Sequence, residues 1–288
     1  MTSPCCPPSA HGPLEAPPAS ERLGSYENIY SDAGKDSEFE CYVVLPPQGT
    51  KQRGTVIICH DVAGPRGGRH EQVCDKLATM GFAAVCPDLF GDSKKRHEAN
   101  ILPTFPQFTP RNLINTLFGL KLGYILKMKK MVVKTALPKI VTTLAYLKEK
   151  TNSEVKPCVA IGFCWGALVV GEMLADTAVA EFPYDIKCGI GFHPAYGLMS
   201  PSEAEKMIQE LARPLLLAPA GDDKESQLGT PLAEMLMERK LSDYTDCVVP
   251  FSDMHHGWMT RGPLNDENVA RDYAAGMKLA LDFIDAHM

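Results

Sequence analysis

The run Thr55-Val-Ile-Ile-Cys59 is apolar or β-branched at every position, with no polar alternation. A strand with one wet face alternates, and this one does not. It suits a strand covered on both sides, as in the centre of a parallel sheet flanked by helices. Runs of the same kind recur at FAAVCPDLF (82–90), KPCVAIG (156–162), IKCGIGFHP (186–194) and RPLLLAPAG (213–221). FECYVVLP (39–46) and YTDCVVPF (244–251) read as further strands. Helical spacing falls between them: 69–81 ending at Gly81, 132–150 with Pro138 as a break or kink, and Gly166 to about Ala175. Three more helices follow at 200–212, capped by Ser200 or Ser202, at 230–241, and at 265–287. Strands alternating with helices predict a doubly wound, mostly parallel α/β sheet with helices on both faces.

Residues 1–37 read as a Pro-rich extended leader and 38–288 as one domain, with 92–131 a lid or insertion. The leader has no basic start followed by an apolar stretch, so no signal peptide is expected. No run of 18 or more apolar residues appears, so no stable membrane insertion is expected. Residues 116–131 carry four lysines among apolar residues, the pattern of an amphipathic surface helix, although two glycines weaken it. With 29 basic and 35 acidic residues the net charge is −6, and no global basic field invites nucleic acid. Many of the ten cysteines sit in apolar runs, which fits reduced thiols and a cytoplasmic location rather than a disulfide framework. Cys5 and Cys6 are adjacent, but no CxxC or histidine pair stands beside them to complete a metal site. No cofactor is implied.

The chemistry concentrates in AIGFCWGA (160–167). Gly162-x-Cys164-x-Gly166 falls where a strand turns into a helix, the place of a nucleophile elbow. Glycines on either side relieve crowding against the neighbouring strand and helix. The helix N-terminus favours thiolate and oxyanion. A nucleophile needs a base, and the base an orienting acid. Downstream, one strand ends in Asp222 and Asp223 and the next in His255 and His256, giving the order nucleophile, acid, histidine. The oxyanion hole would take one backbone N–H from Trp165 and another from the loop HDVAGPRGG (60–68).

GFCWGA, AGDDK, MHHGW and ICHDVAG together resemble the dienelactone hydrolase (carboxymethylenebutenolidase-like) branch of the α/β-hydrolase fold over residues 38–288. The resemblance implies Cys164 as nucleophile, Asp223 as acid, His256 as base, and the Val62 and Trp165 amides as oxyanion hole. It places Asp61 where relatives carry a Glu that meets the thiol. Relatives acting on dienelactone hold a substrate carboxylate with two arginines. Near the first, this chain has Asp92, with Lys94, Lys95 and Arg96 further on; near the second stands Arg261. Asp61, Trp258 and Arg261 are accordingly expected around the substrate, Trp258 as a pocket wall and Arg261 as either a carboxylate ligand or a loop pin.

Rival assignments remain at this level. His255 competes with His256, Asp222 with Asp223, and His193 is a second histidine at a strand end. His60 reads as a packed strand-end histidine. The expected function is hydrolysis of a small-molecule ester or lactone through a Cys–Asp–His triad and an acyl-enzyme. Two other classes compete: a non-catalytic binding protein on the same fold, and a redox-sensing thiol, which lacks a visible resolving cysteine. The physiological substrate and the oligomeric state are not legible.

Overall fold

The computed structural model describes residues 21–30, 38–91, 135–244 and 246–288. The expectations for most of the leader, for Cys5 and Cys6, for the lid or insertion at 92–131 and for Asp92, Lys94, Lys95 and Arg96 lie outside the described residues. The described strands are β1 (Ser25–Tyr30), β2 (Glu38–Val44), β3 (Gly54–Cys59), β4 (Phe82–Pro87), β5 (Cys158–Phe163), β6 (Ile186–Phe192) and β7 (Leu215–Ala218). They form one sheet in the order β1-β2-β4-β3-β5-β6-β7. The β1–β2 and β2–β4 pairs are antiparallel, and the remaining four are parallel.

β3, β4 and β5 are buried at every position, as their uninterrupted apolar runs require. Their side chains alternate between two cores. Ile57 and Cys59 face one layer with α2 (Leu137–Thr151) and α3 (Gly166–Met173). Val56 and Ile58 face the other with α1 (His70–Thr79) and the C-terminal helix Glu267–His287. Each fully buried Val or Ile contributes about 1.5–3 kcal/mol, so the sheet centre holds both layers in place.

The connections add α4 (Asp176–Glu181), α5 (Pro201–Gln209), α6 (Pro231–Arg239) and α7 (Trp258–Arg261), which makes Glu267–His287 α8. Ser200, not Ser202, caps α5, in a capping box with Glu203. Gly81 follows α1 at φ +93°, backbone that L residues rarely adopt.

Two expectations need correction. The extended leader does not run unbroken to residue 37, because Ser25–Tyr30 pairs with β2 as the edge strand β1. The prolines of the leader end at Pro18, and SYENIY then offers Tyr26 and Ile29 to the sheet, with Ile29 buried. Pro138 sits in the first turn of α2, directly after a π-type turn at residues 135–136, so the regular helix begins at the proline rather than running through it. The strand expected at 244–251 is reduced to two isolated parallel bridges, Leu217↔Val248 and Ala220↔Phe251. Leu217, Val249 and Phe251 donate across the pair, but Pro219 has no N–H to give in its turn, so the ladder is interrupted there.

Candidate active site

The candidate side chains gather at the C-terminal ends of the parallel strands, where α/β sheets place their sites. Cys164 follows β5 directly and holds φ 55°, a left-handed conformation unusual for a residue with a Cβ. The turn is fastened on three sides. The Cys164 N–H donates to Phe192 O at 3.1 Å, and Cys164 O accepts from Ala195 N at 3.1 Å and Ala167 N at 3.2 Å. The flanking glycines are there for space. A Cβ on Gly162 would strike the Gly166 backbone, and one on Gly166 would strike the Cys59 carbonyl at the end of β3. Any larger residue at either position would push the elbow off the sheet.

β7 and the turn after it present the two aspartates. The Asp223 carboxylate is locked at Oδ2 by the Ala220 N–H (2.7 Å), and its Oδ1 meets His256 Nδ1 at 2.5 Å. Both side chains are about 95% buried. Asp222 does something different. Its Oδ1 accepts the backbone N–H of His256 at 2.7 Å, and its Oδ2 lies 3.4 Å from Nδ1 of the exposed His255. Between the rival pairs, Asp223 and His256 are therefore the ones joined ring to carboxylate inside the site. Gly257, at φ +89°, turns the chain from His256 into α7.

His193 is brought into the same cluster. It follows β6, holds φ 36°, and its ring centre lies 5.0 Å from that of His256. His60 is packed, as expected: Nδ1 lies 2.6 Å from Asp61 O, and Nε2 accepts the Leu89 N–H at 3.0 Å.

On the β3 side, Val62 and Trp165 are both buried. Among the described residues neither backbone N–H is engaged in a hydrogen bond. Asp61 does not point outward. Its carboxylate accepts from the Ala63 N–H (2.8 Å) and the Thr260 hydroxyl (3.1 Å), and lies 3.1 Å from Arg261 Nε. Burial pushes this carboxyl up, but Arg261, then His70, the Ala63 amide and His60 outweigh it and hold it below the ordinary range. Burial drives His70 the other way, down to about 4, against the pull of Asp61. Arg69 completes the tie, with its N–H on Thr260 O at 2.9 Å and its guanidinium on the Trp258 and Gly262 carbonyls.

Trp258 and Arg261, both expected around the substrate, are buried. Trp258 is fully buried in the core, between Phe251 (4.5 Å), Phe192 (6.0 Å) and α8, because Gly276 leaves room for its ring. Arg261 is 4% exposed and is directed to Asp61, the loop-pinning alternative. The tie formed by Thr260, His70 and Arg69 had no sequence signal, since Thr260 and Asp61 lie 199 positions apart. Among the described residues, no three or more His, Cys, Asp or Glu are grouped to hold a metal ion, and no helix is long and apolar enough to cross a membrane.

Comparison with known proteins follows the same lines. The carboxymethylenebutenolidase homolog of Xenopus tropicalis is 26% identical over 183 residues, 60% of this chain and 63% of that one. The match therefore spans less than two thirds of the frog relative. The homolog of Mus musculus is 24% identical over 237 residues, 81% of this chain and 82% of that one. Among solved structures, dienelactone hydrolase from Anabaena variabilis is similar in fold at TM-score 0.53 and 14% identity, covering 93% of this chain and all (100%) of the other. The esterase Est2 of Thermogutta terrifontis gives TM-score 0.54 at 15% identity, covering 94% and 96%. These neighbours share the α/β-hydrolase fold of this chain. The sequence model of the dienelactone hydrolase family matches residues 39–287, from β2 to the end of α8, and on that match the chain belongs to the dienelactone hydrolase family.

Proposed function

We propose that this chain is an ester or lactone hydrolase that works through a cysteine nucleophile and an acyl-enzyme. One observation carries the reading: the buried Asp223–His256 pair, 2.5 Å apart, stands on the same strand-end rim as the left-handed Cys164 elbow. Asp223 holds His256 through Nδ1, so proton transfer falls to Nε2. His256 takes the thiol proton as the Cys164 sulfur bonds to the carbonyl carbon. The Val62 and Trp165 amides receive the developing oxyanion; removing one such donor from an oxyanion hole typically costs about 3 kcal/mol. The carbon–oxygen bond then breaks, and His256 returns the proton to the departing alkoxide. In a lactone that oxygen stays tethered and is protonated in place. Water cleaves the resulting thioester by the same route.

Asp61 and Arg261 serve this scheme indirectly. Their pair ties the loop carrying Val62 to the helix that follows His256, so oxyanion donor and base keep their spacing. A preorganised donor is what makes such a site effective. The substrate is a small-molecule ester or lactone, and Arg261, 3.1 Å from Asp61, is assigned to that tie. Among the described residues eight cysteines are free, seven of them buried, which suits a reducing compartment such as the cytoplasm.

Hydrolysis of p-nitrophenyl acetate and a small lactone panel by wild type and Cys164→Ala tests the reading. Loss of the nucleophile should remove at least ~10³-fold of kcat/KM. A Cys164→Ala variant as active as wild type would sink the mechanism. A folded wild type that binds the panel and turns none of it over would favour a binding protein on the same fold.

A further inference from the structure

His193 is the one histidine of the rim that nothing above employs. It is fully buried, and among the described residues neither ring nitrogen has a hydrogen-bond partner. Buried polar groups are nearly always satisfied, and an orphan is a site awaiting its partner or a cost the fold carries for a reason. The backbone carries a second cost at the same residue, φ 36°. The position is nevertheless tightly held. The His193 N–H donates to Ala218 O at 2.9 Å, and its neighbours Phe192 and Ala195 both bond to the Cys164 backbone at 3.1 Å. The segment after β6 thus clasps the nucleophile and carries the imidazole with it.

The side on which it lies decides its partner. β3 and β6 flank β5 on opposite sides. The Val62 amide follows β3, so the oxyanion is held on that side. His193 follows β6 and faces the His256 ring at 5.0 Å and 69°. That is the side from which the leaving group departs and the attacking water enters. Burial first, then the charges of His256 and Arg261, hold the His193 ring well below the usual histidine range. It stays a neutral imidazole with one donor and one lone pair. It neither competes with His256 for the proton nor repels it.

We propose that His193 is a further catalytic residue of the deacylation step, hydrogen-bonding the water that attacks the Cys164 acyl-enzyme. This rests on the acyl-enzyme reading above. The water gives one proton to Nε2 of His256 while its oxygen bonds to the thioester carbonyl carbon. The carbon–sulfur bond breaks, the electron pair returns to Cys164, and the imidazolium proton goes back to the sulfur. His193 accepts the second O–H of the water throughout and is unchanged at the end. It orients the water's lone pair toward the carbon, which acylation by a bound ester does not need.

The test separates the two half-reactions. Quench-flow with p-nitrophenyl acetate reads the p-nitrophenol burst (acylation) and the steady state (deacylation), and peptide mass analysis locates the acetyl group. In His193→Phe, which fills the ring's space without a polar atom, the burst should stay within about threefold while the steady state falls ~10- to 100-fold. Acetyl-Cys164 should accumulate. His193→Asn, which tolerates positive φ and retains an acceptor, should recover most of the turnover. The melting temperature of His193→Phe should not drop, because two unsatisfied buried atoms are gone. Equal loss in burst and steady state, or no loss in either, overturns the proposal. If the Phe variant does not fold, His193→Leu, which also lacks an acceptor, decides: a raised ratio of burst rate to turnover supports the role, and an unchanged ratio refutes it. If Cys164→Ala is inactive and His193→Phe hydrolyses like wild type, only the His193 role falls. If Cys164→Ala is active and no variant carries an acetyl-Cys164, the nucleophile reading falls and takes this role with it.

Discussion

Two histidine–aspartate pairs stand side by side on the rim, made from consecutive residues of the same two turns. Asp223 and His256 are about 95% buried and 2.5 Å apart. Asp222 and His255 are 3.4 Å apart, and the His255 side chain is 59% exposed. Composition and spacing are identical, and only the side of the turn differs. In the buried pair, low dielectric strengthens the hydrogen bond and fixes the ring's tautomer and direction. In the exposed pair, water screens the attraction and the same residues hold little beyond local geometry. Burial, more than residue type, separates the two pairs.

The largest break in this comparison comes from the buried side. Asp223→Asn keeps the shape of the side chain but removes the charge that steadies an imidazolium at His256. It should lower kcat/KM on p-nitrophenyl acetate by ~10³- to 10⁴-fold, the range seen when the acid of such a triad is neutralised. A loss below tenfold would mean that His256 does not need its carboxylate.

That Asp223 and not Asp222 takes this place was half legible. The order of strand ends put both aspartates and both histidines in the site. It could not choose within either pair, because the choice is made by the Ala220 N–H locking Asp223 Oδ2 and by the His256 N–H landing on Asp222. The elbow was fully legible, since Gly162 and Gly166 answer a crowding that any strand-to-helix nucleophile turn imposes. So were β3, β4 and β5, whose two-sided apolar runs admit one kind of environment. β1 was not, because an edge strand buries little: of SYENIY only Ile29 is buried. For Arg261 the resemblance left two roles, carboxylate ligand or loop pin, and for Trp258 a pocket wall; helix α7 carries Trp258 into the core and Arg261 onto Asp61, the loop-pin alternative.

Burial also sets how the rim answers acid. His70 is held neutral in the fold, down to about 4 from an ordinary value near 6.5. Between those values the unfolded chain binds a proton that the folded chain refuses, so stability falls as pH is lowered through that window. His193, also depressed, adds to the loss in the same direction, and so does Asp61 at lower pH. For His70 alone the full effect is about 3 kcal/mol. Urea unfolding at pH 7.5 and pH 4.5 should show that drop. A flat profile would mean that the buried rings protonate without penalty.

The smallest effects belong to the exposed pair, and they separate its two members. Asp222 still touches the catalytic ring indirectly, through the His256 N–H at 2.7 Å. Asp222→Ala leaves that donor without its acceptor and lets the histidine loop shift, so kcat/KM should fall about tenfold. Asp222→Asn retains an oxygen at the same place and should recover most of the loss, which a purely electrostatic role would not allow. His255 makes its contact in water and faces none of the reacting atoms. His255→Gln should therefore change kcat/KM and stability by less than about twofold and 0.5 kcal/mol. A His255→Gln variant as crippled as Asp223→Asn would reverse the ranking of the two pairs. The ring that moves the proton would then be the one on the surface, and the buried dyad a packing feature.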